Sequence, residues 1–310
     1  MMIPYIMQPV LKVGPVTIAA FGAIVAASVM VGLAIGERRF RKLGLDRVLG
    51  ERLAWWVIVS GFLGAHLFSV LFYFPREVAA NPLILLQFWK DISSFGSMVG
   101  GLVGIWLFFR LRGSRLSSLQ RWAYLDVVAF VFPISLMIGR VACSLAHDHP
   151  GTITTFPLAI SLRTAAAQAY ITDVYGEAGR LSELPSSLGL SRMGFHDLGW
   201  YELLFLATVV VPLLVHLDKK PRPPGFFLLM FTILYMPIRF LFDFLRVVDE
   251  RYAGLTPGQW LALTALAGVP ILTRRIRKNL AEQSVPAHSP FPGSTDISPS
   301  VTDPSSGMLS

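Results

Sequence analysis

The chain has 310 residues, of which 54% are hydrophobic and only 15% charged, and its mean hydropathy is +0.58. Soluble domains carry about 25% charged residues, so the composition excludes an ordinary soluble domain. The single cysteine, Cys143, excludes an intrachain disulfide, and the distribution of the net charge of +8 favours membrane topology over nucleic-acid binding.

Long apolar runs predict an all-α, polytopic membrane protein. The first run, Pro15 to Gly36, is uncharged and long enough to cross roughly 30 Å of hydrocarbon as a helix. Because the segment before it has no basic n-region, we interpret this run as a retained first helix rather than a signal peptide. About seven transmembrane helices are predicted, at roughly 15–36, 53–74, 94–109, 124–145, 199–216, 225–245 and 257–273.

Basic loops alternate with loops that are poorer in positive charge. The positive-inside rule therefore predicts an outside N-terminus and a cytoplasmic C-terminus in a bacterial inner membrane, as an odd number of spans requires. The basic residues follow spans one, three, five and seven: Arg38, Arg39, Arg41, Lys42 and Arg47; Arg110, Arg112, Arg115 and Arg121; Lys219, Lys220 and Arg222; Arg274, Arg275, Arg277 and Lys278.

Three regions are predicted along the chain. Residues 1–279 form the transmembrane domain, and within it residues 146–198 form a small periplasmic cap, with a mobile loop as the alternative. Residues 280–310 are rich in Ser and Pro and poor in apolar residues. Such a segment buries too little to offset its ordering entropy, which predicts a disordered cytoplasmic tail.

Two arginines lie within apolar spans. Arg140 in span four and Arg239 in span six both lie toward the outer ends. A buried arginine costs at least about 2.5–3.5 kcal/mol, so each requires a partner or a function. Two guanidinium groups at similar depth favour a site for phosphate or carboxylate. The alternative is that each pairs with an acid, such as Asp243 or Asp148, or reaches the interface.

Histidines and an acid follow span four in the sequence His147-Asp148-His149, and His196-Asp197 lies at the far end of the cap. These residues are candidates for proton transfer. A zinc site is a weaker interpretation because the ligand spacing is loose, and a hydrated loop is also open. We expect no metal and no cofactor.

A run of small residues, Gly96 to Gly104, lies in span three. Such runs permit close approach of membrane helices, and packing is the favoured interpretation. The alternative is that Gly100 and Gly101 make room for a ligand.

These segments resemble the prolipoprotein diacylglyceryl transferase family over about residues 10–273. The family signature Gly-Arg-Ile-Gly-Asn-Phe-Ile-Asn-Gly-Glu, with a further Gly three residues on, is similar to Gly139–Asp148 and Gly151. In this comparison the two asparagines are Cys143 and Ala146, and Glu is shortened to Asp148.

Further motifs follow in the same order. The family's Gly-Gly-Leu-Ile-Gly resembles residues 100–104, and its His-Pro-Ser-Gln-Leu-Tyr-Glu resembles residues 196–202. Its Tyr-Gly-x-x-Arg-Phe resembles residues 235–240. Its later Glu, Arg and Asp, and the Gly-Gln that opens its last helix, resemble Asp243, Arg246, Asp249, Gly258 and Gln259.

The resemblance implies transfer of a diacylglyceryl group from phosphatidylglycerol to the lipobox cysteine of prolipoproteins, with the bilayer and prolipoprotein signal peptides as partners and no nucleic acid. It implies a phosphate site at Arg140, Arg239 and Tyr235, lined by Gly100, Gly101 and Gly151, and proton transfer by Asp148, His147, His149 or His196. Two alternatives remain open: a phospholipid-binding protein of the same fold that has lost transfer, and a different lipid head-group enzyme.

Overall fold

The computed structural model describes residues 2–13, 16–72, 75–87, 93–112, 116–249 and 251–284, and this part of the chain is mostly helical. Its α-helices are α1 (Ala20–Lys42), α2 (Arg47–Phe72), α3 (Pro75–Ala80), α4 (Ser94–Arg112), α5 (Ser118–Ala146), α6 (Ala165–Glu177), α7 (Ser187–Leu190), α8 (Leu198–Phe205), α9 (Val211–Leu217), α10 (Phe226–Phe242) and α11 (Pro257–Ser284).

Six helical segments in the described ranges are long and apolar enough to cross a membrane. They are Ala20–Lys42, Arg47–Leu71, Phe95–Arg112, Ser118–Ala146, Leu198–Leu217 and Phe226–Leu245. The predicted all-α, polytopic membrane fold is confirmed. The seventh predicted span corresponds to α11, which is long but less apolar than these six.

The first helix begins and ends later than the predicted range of 15–36. Residues Val16–Ala19 form a strand, β2, which pairs antiparallel with β1 (Val10–Val13), so α1 starts at Ala20. The helix then continues into the basic segment. Arg39 is buried there, 2.8 Å from the carboxylate of Asp218 and 3.7 Å above the ring of Phe130. A residue predicted in a basic loop therefore lies in a helix.

Helices α2 and α4 form the closest pair, and glycines line their contact. A Cβ at Gly64 would lie 2.6 Å from the carbonyl oxygen of Gly96 and 2.7 Å from Cα of Gly100. Only hydrogen fits at these positions, so the backbones approach as small-xxx-small motifs allow. The structure thus supports the packing interpretation of the glycine run.

The C-terminal ends of α5 and α10 meet α8 at the base of the cap. Helix α5 packs against α1, α8 and α10, and α10 also packs along α11. Between α8 and α9, residues Leu206–Val210 form a π-helical turn. Pro212 lacks the amide hydrogen that an α-helix needs at this point, which accounts for the local change in hydrogen bonding.

The cap is a small packed unit. Its sheet consists of β3 (Pro150–Thr154), β4 (Ile160–Ser161) and β5 (Gly194–Asp197), with β5 in the centre and both pairings antiparallel. Helix α6 lies against it. The buried side chains between them include Leu162, Ile171, Tyr175, Leu190 and Phe195. These contacts favour a packed cap over a mobile loop, the alternative that the sequence left open.

The last helix reaches Ser284, five residues into the segment predicted as a tail. The rest of that segment, 285–310, lies outside the described residues.

Candidate functional site

Three arginines converge at the C-terminal ends of α5 and α10. Arg140 comes from the last turns of α5, and Arg239 from the last turn of α10. Arg246 follows the 3-10 turn Asp243–Leu245 that ends α10. All three side chains are largely buried, at 7%, 12% and 15% exposure, so each must find a partner among nearby acids.

Glu202 of α8 is the centre of this arrangement. Its side chain is fully buried, with Oε2 2.8 Å from Arg140 Nη2 and Oε1 2.5 Å from Arg239 Nη1. The hydroxyl of Tyr235 donates to the same carboxylate at 2.5 Å. Arg140 and Arg239 therefore share one anion, and that anion is a carboxylate of the protein. We call Arg140, Arg239, Arg246 and Glu202 the arginine cluster.

Asp243 holds the far side of the cluster and is also fully buried. Its Oδ1 lies 3.1 Å from Arg239 Nη2, and its Oδ2 accepts a hydrogen bond from the hydroxyl of Thr256 at 2.7 Å. Thr256 and Gln259 form a capping box at the start of α11, since each side chain accepts from the other's backbone N–H. The start of α11 thus fixes Asp243.

The loop after α5 brings Asp148 and His149 beside the cluster. Arg246 Nη2 lies 3.2 Å from His149 Nδ1, and Arg140 Nη1 lies 3.6 Å from the sulfur of Cys143. The ligand atoms of Cys143, Asp148 and His149 all lie within 4.8 Å of one another. His149 is buried, whereas Asp148 is the exposed member of the group.

Electrostatics separate the roles of these two residues. The side chain of Asp148 is 34% exposed, yet partial desolvation by the surrounding protein raises its pKa to about 6, and the nearby charge of Arg140 opposes that rise. Burial, followed by the charges of Arg246 and Arg140, holds the pKa of His149 well below its ordinary value. His149 is therefore neutral at pH 7, and Asp148 is mostly ionised there.

The hydrogen bonding of His149 follows from its neutral ring. Its Nδ1 lies near both the carbonyl oxygen of Asp148, at 2.8 Å, and the guanidinium of Arg246. A carbonyl oxygen only accepts, so at this shorter distance Nδ1 carries the ring proton and donates to Asp148, and Nε2 is the acceptor nitrogen of the ring. This Nε2, like Nε of Arg140, is buried and has no hydrogen-bond partner within the described residues. Of these two atoms, Nε of Arg140 is a donor suited to an anion.

Metal binding is disfavoured by the same charges. Cys143, Asp148 and His149 are the one group of potential ligands that the described residues bring together, and it differs from the set considered from the sequence. Two guanidinium groups contact it, at Cys143 and at His149. Positive charge at this distance opposes a cation and favours an anion.

The family model described as prolipoprotein diacylglyceryl transferase matches residues 8–274. The chain belongs to the prolipoprotein diacylglyceryl transferase family. It is 28% identical to the phosphatidylglycerol–prolipoprotein diacylglyceryl transferase of Chromohalobacter salexigens over 262 residues, covering 84% of this chain and 86% of that protein. It is 27% identical to the protein of that name from Pseudomonas aeruginosa over 289 residues, covering 90% and 97%. It is 28% identical to the protein of that name from Bordetella bronchiseptica over 282 residues, covering 88% of this chain and 97% of that protein.

The other predicted histidines of this family member lie apart from the donors of the cluster. His147 is buried, with Nδ1 2.6 Å from Asp197 Oδ2 and Nε2 3.1 Å from the carbonyl oxygen of Ile6. His196 is half-buried and its Nδ1 contacts the hydroxyl of Tyr201 at 2.9 Å. Burial lowers the pKa of His196. Through these contacts, His147 and His196 hold the cap on the helix bundle.

The predicted glycines also take packing positions. Gly100 lies against α2, where an added Cβ would meet the backbone of Gly64 at 2.9 Å, and Gly101 meets Val57 at an ordinary 3.7 Å. Gly151 lies between β5 and the turn after α10. A Cβ there would be 2.9 Å from both His196 and the carbonyl oxygen of Leu245. Gly151 thus permits the approach that places Arg246 beside His149.

Sequence reasoning named neither Glu202 nor Arg246 as a site residue. Both appeared only within the motifs of the family resemblance. A signal was present for Glu202, since it is an acid at the start of the otherwise uncharged run 203–217. An acid in a membrane span faces the protein interior and has a partner. Its two arginine partners lie 62 and 37 residues away along the chain, which no local pattern reveals.

Proposed function

We propose that this chain transfers the diacylglyceryl group of phosphatidylglycerol to the lipobox cysteine of prolipoproteins. Its relatives are named for a diacylglyceryl transfer from phosphatidylglycerol to prolipoprotein. In this reaction the cysteine sulfur bonds to the glyceryl carbon, and the bond from that carbon to the phosphate oxygen breaks. Glycerol phosphate leaves with the electron pair, and the thiol proton passes to a base. The protein must therefore stabilise a phosphate and accept one proton.

The observation that carries the proposal is the arrangement of donors around the arginine cluster. Glu202 and Asp243 occupy one side of Arg140 and Arg239. Arg140 Nε and Arg140 Nη1 are not held by these carboxylates. Donors already in position cost no reorganisation when charge develops on a leaving phosphate. Arg140 thus contacts the phosphate, while Arg239 and Tyr235 hold Glu202 and through it Arg140.

Asp148 is the proposed proton acceptor. It is the exposed member of its group, so a peptide thiol can reach it from outside the bundle. Its pKa of about 6 lies close to neutral pH, where a general base is most effective. His149, with its lowered pKa, is a poor base, and its ring N–H donates to the carbonyl oxygen of Asp148. His147 and His196 position the loop and the cap.

The membrane arrangement supports the same function. We propose an inner-membrane protein with the N-terminus outside and the cap in the periplasm, which places the arginine cluster at the outer leaflet. Phosphatidylglycerol then enters from the bilayer, and the prolipoprotein signal peptide approaches the same level. The catalytic domain extends to the end of α11 at Ser284, and the remaining residues form a cytoplasmic tail.

The experiment measures transfer of labelled diacylglyceryl from phosphatidylglycerol to a lipobox peptide by the purified protein. Asp148→Asn keeps the shape of the side chain and removes its charge, so we expect transfer to be abolished while phosphatidylglycerol still binds. The matched variant Asp148→Glu restores the carboxylate of the family signature and retains transfer. Because the base form is lost as pH falls through about 6, the wild-type rate decreases below that pH.

The other possible outcomes of this experiment distinguish the proposed function from its alternatives. Binding without turnover by the wild-type protein would show a phospholipid-binding protein, an outcome suggested by Cys143 and Ala146 at the signature asparagines. Modification of phosphatidylglycerol without a peptide would show a different head-group enzyme. Full transfer by Asp148→Asn would remove this residue from the mechanism, and loss of transfer on addition of a chelator alone would indicate a metal.

A further inference from the structure

The first residues of the chain pack on the cap as an additional strand-like segment. The amide of Ile3 donates to the carbonyl oxygen of Ala159 at 2.9 Å, and the amide of Ser161 donates to the carbonyl oxygen of Ile3 at 2.7 Å. Ile3 thereby pairs in parallel with Ile160 of β4. We call residues 2–6 the N-terminal strap. It precedes the first membrane helix, yet it belongs structurally to the cap.

The strap ends on His147. The ring of Tyr5 stacks on the imidazole at 4.6 Å between centroids, and the carbonyl oxygen of Ile6 lies 3.1 Å from Nε2. The hydroxyl of Tyr170 donates to the backbone carbonyl of His147. The side chain is 4% exposed. His147 is therefore enclosed by three segments that are remote in sequence.

Asp197 connects His147 to α8. Its Oδ2 lies 2.6 Å from His147 Nδ1, and its Oδ1 accepts from the amide of Trp200 at 3.0 Å as the N-cap of α8. Glu202 lies in the next turn of this helix, and Asp148 directly follows His147. One pair of side chains thus joins the loop of the proposed base to the helix that carries the central carboxylate.

Both members of the pair depart from the family motifs quoted above. The signature has glycine at the position of His147 and the later motif has proline at the position of Asp197. His147 has a φ of 52°, in the left-handed region that is uncommon for residues with a Cβ, although histidine enters it more often than most of them. The ring contacts to Asp197 and to the strap hold the residue in this conformation.

We propose that the N-terminal strap is a positioning element of the transfer site, which acts through His147 and Asp197 on Asp148 and Glu202. The expected effect on kcat rests on the proposed function. The expected effect on the packing of the cap against α8 does not. His147, Asp197 and Tyr5 are positioning residues and contact no reacting atom. The strap sets the geometry of the base relative to the phosphate donors, so its loss affects kcat rather than lipid binding.

The test is a double-mutant cycle between the strap and the histidine. Tyr5→Ala removes the stacked ring, and His147→Asn keeps a side-chain N–H near the Nδ1 position while losing the contact with Ile6. Asparagine also tolerates the left-handed backbone. We expect each single variant to lower kcat between about 10- and 100-fold, as misplacement of catalytic groups by an ångström does, with KM for phosphatidylglycerol within about twofold. The double variant should be no slower than His147→Asn.

Two matched variants control for general damage. Tyr5→Phe keeps the stacking and retains full kcat, and Met7→Ala changes an exposed side chain just beyond the strap without effect. Multiplicative losses in the double variant, or unchanged kcat in Tyr5→Ala, would overturn the proposal. A fall in kcat matched by an equal rise in KM would also overturn it, because lipid binding would then be what the strap controls.

A structural readout separates this proposal from the proposed function. Hydrogen exchange of amides 197–202 should be faster in Tyr5→Ala and unchanged in Tyr5→Phe, whether or not the wild-type protein transfers lipid. If the wild-type protein shows no transfer, the proposed function fails, and exchange alone decides the structural connection. Equal protection of these amides in Tyr5→Ala and wild type would refute it.

Discussion

The buried carboxylate of Glu202 offers the sharpest test of how the arginine cluster is stabilised. In Glu202→Gln the side chain keeps its size but loses its charge. Arg239 retains Asp243 at 3.1 Å. Arg140 loses its ion pair with Glu202 and keeps contacts with the hydroxyl of Tyr235 and, at 3.6 Å, with the sulfur of Cys143. The variant therefore leaves mainly one uncompensated buried cation.

The expected magnitude follows from that single charge. Removing one partner of a buried ion pair costs about 3–5 kcal/mol, mostly because the other charge stays buried without compensation. For a chain of this size, about 2 °C of midpoint corresponds to 1 kcal/mol. We expect Glu202→Gln to lower the unfolding midpoint in detergent by on the order of 6–10 °C. Phosphatidylglycerol should recover part of this loss, since its phosphate replaces the missing anion.

The assay is thermal unfolding with and without lipid, and its control is Glu183→Gln. Glu183 pairs with Arg180 at 2.7 Å on the surface of the cap, where solvent screens the pair and little change is expected. The decisive variant is Arg140→Met combined with Glu202→Gln. Removing the stranded cation should make the double variant more stable than Glu202→Gln alone. A double variant that is less stable than either single one would refute the argument.

Three further predictions concern packing and topology. Gly100→Ala should separate α2 from α4 and lower the yield of folded protein. Gly101→Ala on the same helix should be tolerated, because its added Cβ would meet Val57 at an ordinary van der Waals distance. Size-exclusion profiles of both variants test this. Gly151→Ala should move Arg246 from His149 and reduce transfer more than tenfold, as measured by the peptide assay, and retained activity would contradict the tight contact. Cysteine-accessibility labelling on a Cys143→Ser background should place position 284 in the cytoplasm, and labelling from outside would contradict the orientation.

Local sequence patterns were sufficient for the membrane fold. An uncharged apolar run must be removed from water, and a helix satisfies its backbone hydrogen bonds without distant partners. The spans were therefore predictable as segments, although α2 and α5 begin earlier than predicted and α11 ends later, at Ser284. The first helix begins late because residues 16–19 pair with residues 10–13 as a hairpin, and an apolar run does not distinguish a strand from the start of a helix.

The ion pairs were decided by the tertiary structure alone. Sequence reasoning identified Arg140 and Arg239 because a buried cation is costly wherever it occurs. It could not identify Glu202 as their common partner, since that choice depends on how α5, α8 and α10 pack. The role of His147 was likewise decided by the tertiary structure. Its position beside Asp148 and His149 in the sequence predicted proton transfer, whereas its ring contacts Asp197 and the backbone of Ile6. Burial follows from local composition, whereas the partner of a buried charge follows from the three-dimensional arrangement of the helices that surround it.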